Sequence, residues 1–264
     1  LLMPDALLED ILNFNFILVT CFFAIALGLL VFLPDAGRVS SKSANLRDLI
    51  LIFEKGSCFN QLISSQLFNG VANALPATLF IFFTTYVLKR PDLAGPLLVV
   101  YFLSAAVSVP IWVKFSNIWR KERCWQVAMI TAAITFLGVL LVDENSITLF
   151  FTITVITGLM AGADLSIPAS MLADIVDHDA KKNGSRRPGI YFAVWGTTSK
   201  LTLALAVVIA FSLLGMDIFE QQQLDALVDT SWLVILYALL PPIFKIISVA
   251  LLVHYKLEPD EGLY

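Results

Sequence analysis

Three ionisable side chains, Asp164, Lys200 and Lys245, stand inside long apolar stretches of this chain. A charge held at the centre of a membrane span costs roughly 2.5–3.5 kcal/mol, so each calls for a partner or for water. Asp164 precedes Asp174, where its stretch turns polar, by about 15 Å of helix, and Lys200 follows Gly189 by a similar distance. That is about half the thickness of the hydrocarbon layer. Both groups therefore reach the midplane, on consecutive antiparallel stretches. They are expected to pair or to share a water-filled cavity lining a transport pathway; the plainer alternative is a structural pair that locks two helices. Lys245 lies about 16 Å before Lys256 and just after Pro241 and Pro242, which remove backbone donors and bend a helix. It is expected to snorkel or to neutralise a neighbouring carboxylate.

Amides accompany these charges. Gln66, Asn69 and Asn73 fall on one helix face, where they either bind a hydroxylated ligand or bond across to another helix as packing glue. Further on, Asp174 and Asp177 end an apolar stretch, at a helix C-terminus where the macrodipole disfavours negative charge. Lys181, Lys182, Arg186 and Arg187 follow closely as compensating cations. Asp174, Asp177, Arg186 and Arg187 read as a cytoplasmic gate of breakable ion pairs, or else as an ordinary solvated turn.

The elements that position these residues are membrane spans. Seven apolar stretches, at 16–33, 62–88, 96–113, 125–142, 147–172, 191–214 and 232–255, are each long enough, or nearly so, to cross a bilayer. The fold class is an all-α integral membrane protein of seven transmembrane helices. With 58% hydrophobic and 14% charged residues, the chain is far from the roughly 25% charge of soluble domains. Basic residues gather in alternate loops: Arg38 to Lys55, Lys114 to Arg123, Lys181 to Arg187, and Lys256. The opposite loops hold Lys89 and Arg90 and are otherwise acidic. The positive-inside rule then places the N-terminus of this chain outside and its C-terminus in the cytoplasm, in a cell or plasma membrane.

Residues 1–36 read as one span, 37–57 as a cytoplasmic linker with an interfacial helix near 46–53, and 58–264 as a six-helix bundle. Six helices after a linker match one half of a carrier built from three-helix repeats. No histidine or cysteine clustering suggests a metal site, a cofactor or an enzyme, because only His178 and His254 offer imidazole and Cys21, Cys58 and Cys124 read as apolar packers. No basic run suggests nucleic acid; the expected partners are the lipid bilayer and a small-molecule substrate.

The run Ala173-Asp-Ile-Val-Asp177, the pair Arg186-Arg187 and the spacing to Lys200 resemble the glycoside–pentoside–hexuronide:cation symporters, the melibiose-permease-like branch of the major facilitator superfamily. The resemblance runs from Leu46 through Asn73-Ala-Leu-Pro-Ala-Thr78 to the C-terminus. It implies helix six plus the C-terminal half of a twelve-helix carrier, with N-terminal helices of the same protein as the missing partner. It implies symport of a sugar or glycoside with Na⁺ or H⁺, the cation held mainly by acidic residues of that N-terminal half. Lys200 matches the family's lysine on helix eleven, which faces the cation and substrate cavity. Asp164 is outside the family pattern, and a lysolipid carrier of the same branch is the alternative. A seven-helix receptor or photoreceptor is a reading of another class: Lys245 is placed as a retinal lysine would be, but Pro241 stands where microbial light-driven proteins carry aspartate.

Overall fold

The computed structural model describes residues 16–17, 19–21, 23–24, 27–28, 52–53, 57–183, 187–214, 230–253 and 255. The chain divides into two units, Leu1–Ser41 and Lys42–Tyr264. In the first, the described residues between 16 and 28 are helical, and the rest of the expected 16–33 span lies outside the described residues. In the second, six helices among the described residues are long and apolar enough to cross a membrane. They are α1 (Cys58–Phe82, continued by a π-helical turn at Phe83–Val87), α2 (Ala94–Ile118), α3 (Lys121–Leu137), α4 (Ile147–Asn183), α5 (Pro188–Leu214) and α6 (Thr230–Leu252).

Local chemistry sets the helix ends. Ser57 caps α1 by accepting the Asn60 backbone N–H at 3.2 Å, so the helix starts before the apolar run does. Ahead of α4, the Asp143 carboxylate accepts from the Ser146 hydroxyl and the Asn145 N–H, which holds it below the usual carboxylate range. α4 continues past its apolar stretch to Asn183, because nothing between Ala173 and Asn183 breaks a helix. Of the expected interfacial helix only Ile52 and Phe53 are described; Ile52 is buried in the bundle's core.

The packing has an internal symmetry. α1 lies against α5 and α6, while α4 lies against α2 and α3. Exchanging α1–α3 with α4–α6 maps each of these contacts onto another, as two interlocked three-helix repeats require. Burial follows the same exchange: α2 and α5 bury only 17% of their spans, the other helices 39–50%. The exposed faces of α2 and α5 carry Val99, Phe102, Leu103, Leu201, Leu203 and Val208, apolar surface suited to lipid or to further helices.

Small residues permit the closest approaches. A Cβ on Gly158 would meet the Tyr101 carbonyl oxygen at 2.7 Å, and one on Gly162 would meet the Ala105 carbonyl oxygen at 2.7 Å and collide with the Ser108 hydroxyl. The α2–α4 seam is thus a small-residue contact of the kind that lets membrane helices associate. Gly162→Ala is expected to push α2 from α4 and cost about 1–3 kcal/mol. A thermal melt in detergent reads this out, and an unchanged midpoint rejects it.

The core forms two apolar clusters. One gathers Leu75, Phe83, Phe150, Ala206 and Tyr237; the other gathers Phe59, Trp125, Met171, Tyr191 and Leu252. The direction of each helix puts the first cluster toward one end of the bundle and the second toward the other. Polar side chains fill the layer between them.

Candidate functional site: a buried charge pair beneath an aromatic cavity

Asp164, on α4, is the centre of that layer. Its Oδ1 accepts from Asn69 Nδ2 at 3.0 Å and from the Trp125 indole N–H at 2.6 Å. Its Oδ2 accepts from Asn73 Nδ2 at 2.9 Å and from Lys245 Nζ at 3.4 Å. Lys245 also donates to Asn69 Oδ1 at 2.8 Å. The two charged side chains are only 14% and 6% exposed. A pair this deep persists because every carboxylate acceptor position is taken and because four helices, α1, α3, α4 and α6, contribute to it. One turn along the same seam, the Ser65 and Ser248 hydroxyls lie 2.6 Å apart.

Three members stand about a turn from a proline in their own helix: Asn73 before Pro76, Asp164 before Pro168, Lys245 after Pro241 and Pro242. Proline offers no N–H to the carbonyl four residues earlier, so α1, α4 and α6 are all interrupted near this layer.

The charge facing Asp164 is therefore Lys245, and the expected pairing with Lys200 is replaced. Lys200 is exposed. Thr202, two residues on, faces α1, where its methyl sits 2.6 Å from where a Cβ on Gly70 would stand. Two residues turn a helix by about 200°, so Lys200 points away from that seam. Depth alone was readable in the sequence; the azimuth of a side chain depends on which face of α5 packs. Of the amides, Asn69 and Asn73 join Asp164, whereas the half-buried Gln66 does not; its buried Oε1 finds no hydrogen-bond partner among the described residues. Trp125 was missed because an indole at the start of the 125–142 stretch counts as part of its apolar run. It is fully buried.

At the cytoplasmic-loop end of α4, Asp174 accepts from Lys121 of α3 at 2.5 Å. Arg187 lies 3.8 Å from Asp179, Asp177 is exposed, and Arg186 is outside the described residues. The Lys121 and Asp174 side chains are 29% and 42% exposed. Screening leaves such a pair little energy, so Lys121→Ala is expected to shift stability by less than about 1 kcal/mol, checked in the same melt.

Above the charge pair opens a cavity of about 120 Å³, floored by Asn73, Asp164, Lys245, Pro241 and Pro242 and walled by Phe80, Leu97, Tyr101, Phe136, Phe150 and Tyr237. No group of three His, Cys, Asp or Glu residues able to hold a metal ion occurs among the described residues.

A membrane-crossing bundle of two interlocked repeats, with charge at its centre and a cavity above it, is the architecture of a solute carrier. The chain matches the model of the MFS/sugar transport protein family over residues 11–259, and it belongs to that family of the major facilitator superfamily. It is 28% identical over 186 residues to the human sodium-dependent lysophosphatidylcholine symporter 1, covering 70% of this chain and 34% of that protein. It is 27% identical over 209 residues to the sphingosine-1-phosphate transporter MFSD2B of Xenopus tropicalis, covering 75% and 39%. An uncharacterized symporter of Synechocystis is 23% identical over 175 residues, covering 66% and 32%. The chain thus spans about a third of the length of the curated relatives it matches. It is a multi-pass membrane protein of a transporter family, and the names of these relatives match the lysolipid alternative; they lend no support to carbohydrate transport.

Proposed function

We propose that this chain supplies the C-terminal part of a cation-coupled symporter for a single-chain amphiphile of the lysolipid class. The observation that carries the reading is the cavity itself: aromatic and aliphatic walls ending on a buried Asp164–Lys245 pair suit a molecule that is mostly hydrocarbon. A sugar site needs many free donors and acceptors, and this lining has few. The printed names of the relatives agree with an amphiphile. Alternating access then rocks two halves about a midplane site, with Lys200 facing the second half and answering to the Na⁺ or H⁺ held there. The chain lies in the melibiose-permease-like branch, N-terminus outside and C-terminus inside. Asp174 with Lys121, and Arg187 with Asp179, tie helices at the cytoplasmic end, with Asp177 and Arg186 beside them.

The test is counterflow and gradient-driven uptake by the complete carrier in proteoliposomes, comparing lysophosphatidylcholine, sphingosine-1-phosphate, glycosides and hexuronides. Accumulation of a lysolipid under an inward Na⁺ or H⁺ gradient supports the reading. Glycoside counterflow without lysolipid uptake overturns it.

A further inference from the structure

We infer that the hairpin joining α2 to α3 binds the head of an anionic two-chain phospholipid, held from the lipid side by Lys114, Arg123 and the Trp119 indole. The site lies on the outside of the bundle and does not depend on what the carrier moves.

The connection is short: α2 ends at Ile118, Trp119 is its C-cap, and Arg120 is the N-cap of α3. Lys114, Arg120, Lys121 and Arg123 all stand at this end. Two of them are neutralised within the fold, Arg120 by Glu122 and Lys121 by Asp174. Lys114 and Arg123 are exposed and meet no carboxylate among the described residues. At the opposite ends of these helices the loop cations are paired, Lys89 with Glu144 and Arg90 with Asp92. Uncancelled positive charge on this hairpin is therefore confined to one membrane face, that of the basic loops.

Both free cations continue apolar rows that face outward. On α3, Arg123 is in line with the exposed Val127, Ile130, Ile134 and Leu137. On α2, Lys114 is in line with the exposed Leu103, Val107, Ile111 and Ile118. Lys114 sits about 6 Å of helix inside the end of α2, and Arg123 about 3 Å inside the start of α3. The headgroup layer is roughly 5–7 Å deep on each side of the hydrocarbon. Long basic side chains lay their stems on apolar surface and carry the charge up into that layer. Trp119, 55% exposed, belongs at the same level, where indoles gather. Its N–H has no acceptor among the described residues, whereas that of Trp112 is engaged by the Leu159 carbonyl at 2.8 Å.

Two cations and an N–H suit phosphate oxygens, with which ionised donors form strong hydrogen bonds. The chains of the same lipid cover Ile111, Ile118 and Val127. A zwitterionic head brings its own ammonium beside Lys114 and Arg123; an anionic head does not. Each basic residue near a membrane surface is worth up to about fivefold in favour of anionic lipid.

The experiment is native mass spectrometry of the complete carrier, released from micelles holding equal amounts of phosphatidylglycerol and phosphatidylcholine. Wild type is expected to retain phosphatidylglycerol preferentially. Lys114→Gln and Arg123→Gln each lower that preference by up to about fivefold, and together by up to about 25-fold. Lys89→Gln, on the opposite face and already paired, leaves it unchanged. All three positions are exposed, so the thermal midpoint stays put and the fold is not in question. Equal retention of both lipids by wild type overturns the inference and shows that other helices of the carrier supply the counter-charge. So does a double variant with wild-type preference, or an equal loss in Lys89→Gln. Displacement of the lipid by glycerol phosphate, a head without chains, also overturns it, because the site then takes a soluble anion.

Discussion

Asp164→Asn is expected to cost about 3–5 kcal/mol of stability, because it leaves the Lys245 ammonium buried with no opposite charge. The same change turns one acceptor oxygen into a donor, which then faces either the Asn69 and Trp125 donors or the Asn73 and Lys245 donors. Lys245→Met alone is milder, since three neutral donors still hold the carboxylate. The Asp164→Asn/Lys245→Met double variant recovers much of the loss, because neither partner is then a lone charge in a poorly solvated layer. Thermal melts of the four proteins form the cycle. Single effects that add to within about 0.5 kcal/mol show that the two groups do not interact, and the pair loses its place at the centre of the bundle.

Lys200→Met is expected to do the reverse. An exposed side chain away from any packed seam contributes within about 0.5 kcal/mol to stability, so the melt stays where it was. Gradient-driven accumulation in the complete carrier falls to the level of passive exchange, since the group answering to the cation is gone. Unchanged accumulation removes Lys200 from the coupling mechanism. The two lysines thus separate cleanly: the loss of Lys245 is read in the melt, the loss of Lys200 in coupled uptake.

Six of the spans were legible from apolar runs alone, and their ends missed by four residues at the start of α1 and eleven at the end of α4, where capping or an unbroken polar helix extended them. Ser57 drew α1 back to Cys58, and the run from Ala173 to Asn183 stayed helical without being apolar. Asp164 was legible as a buried charge because a carboxylate in lipid has few explanations. Its partner was not. Depth follows from counting residues along a helix, but partnership depends on rotation about the axis, and nearly uniform hydrophobicity around α5 hides which face packs. Lys245 carried a readable signal, its place one turn after Pro241. Trp125 carried none, since the indole N–H that reaches Asp164 belongs to a residue counted as apolar.

The prolines beside Asn73, Asp164 and Lys245 have a mechanical consequence. A helical rod resists flexing chiefly through its ladder of backbone bonds, and with Pro110 of α2 beside Gly162, four of the six rods lack a rung near one storey. Compliance is concentrated there, while the apolar blocks on either side stay stiff. Flexing within this bundle is expected about the storey where its two opposite charges clasp, so that motion and the making or breaking of that clasp share one fulcrum.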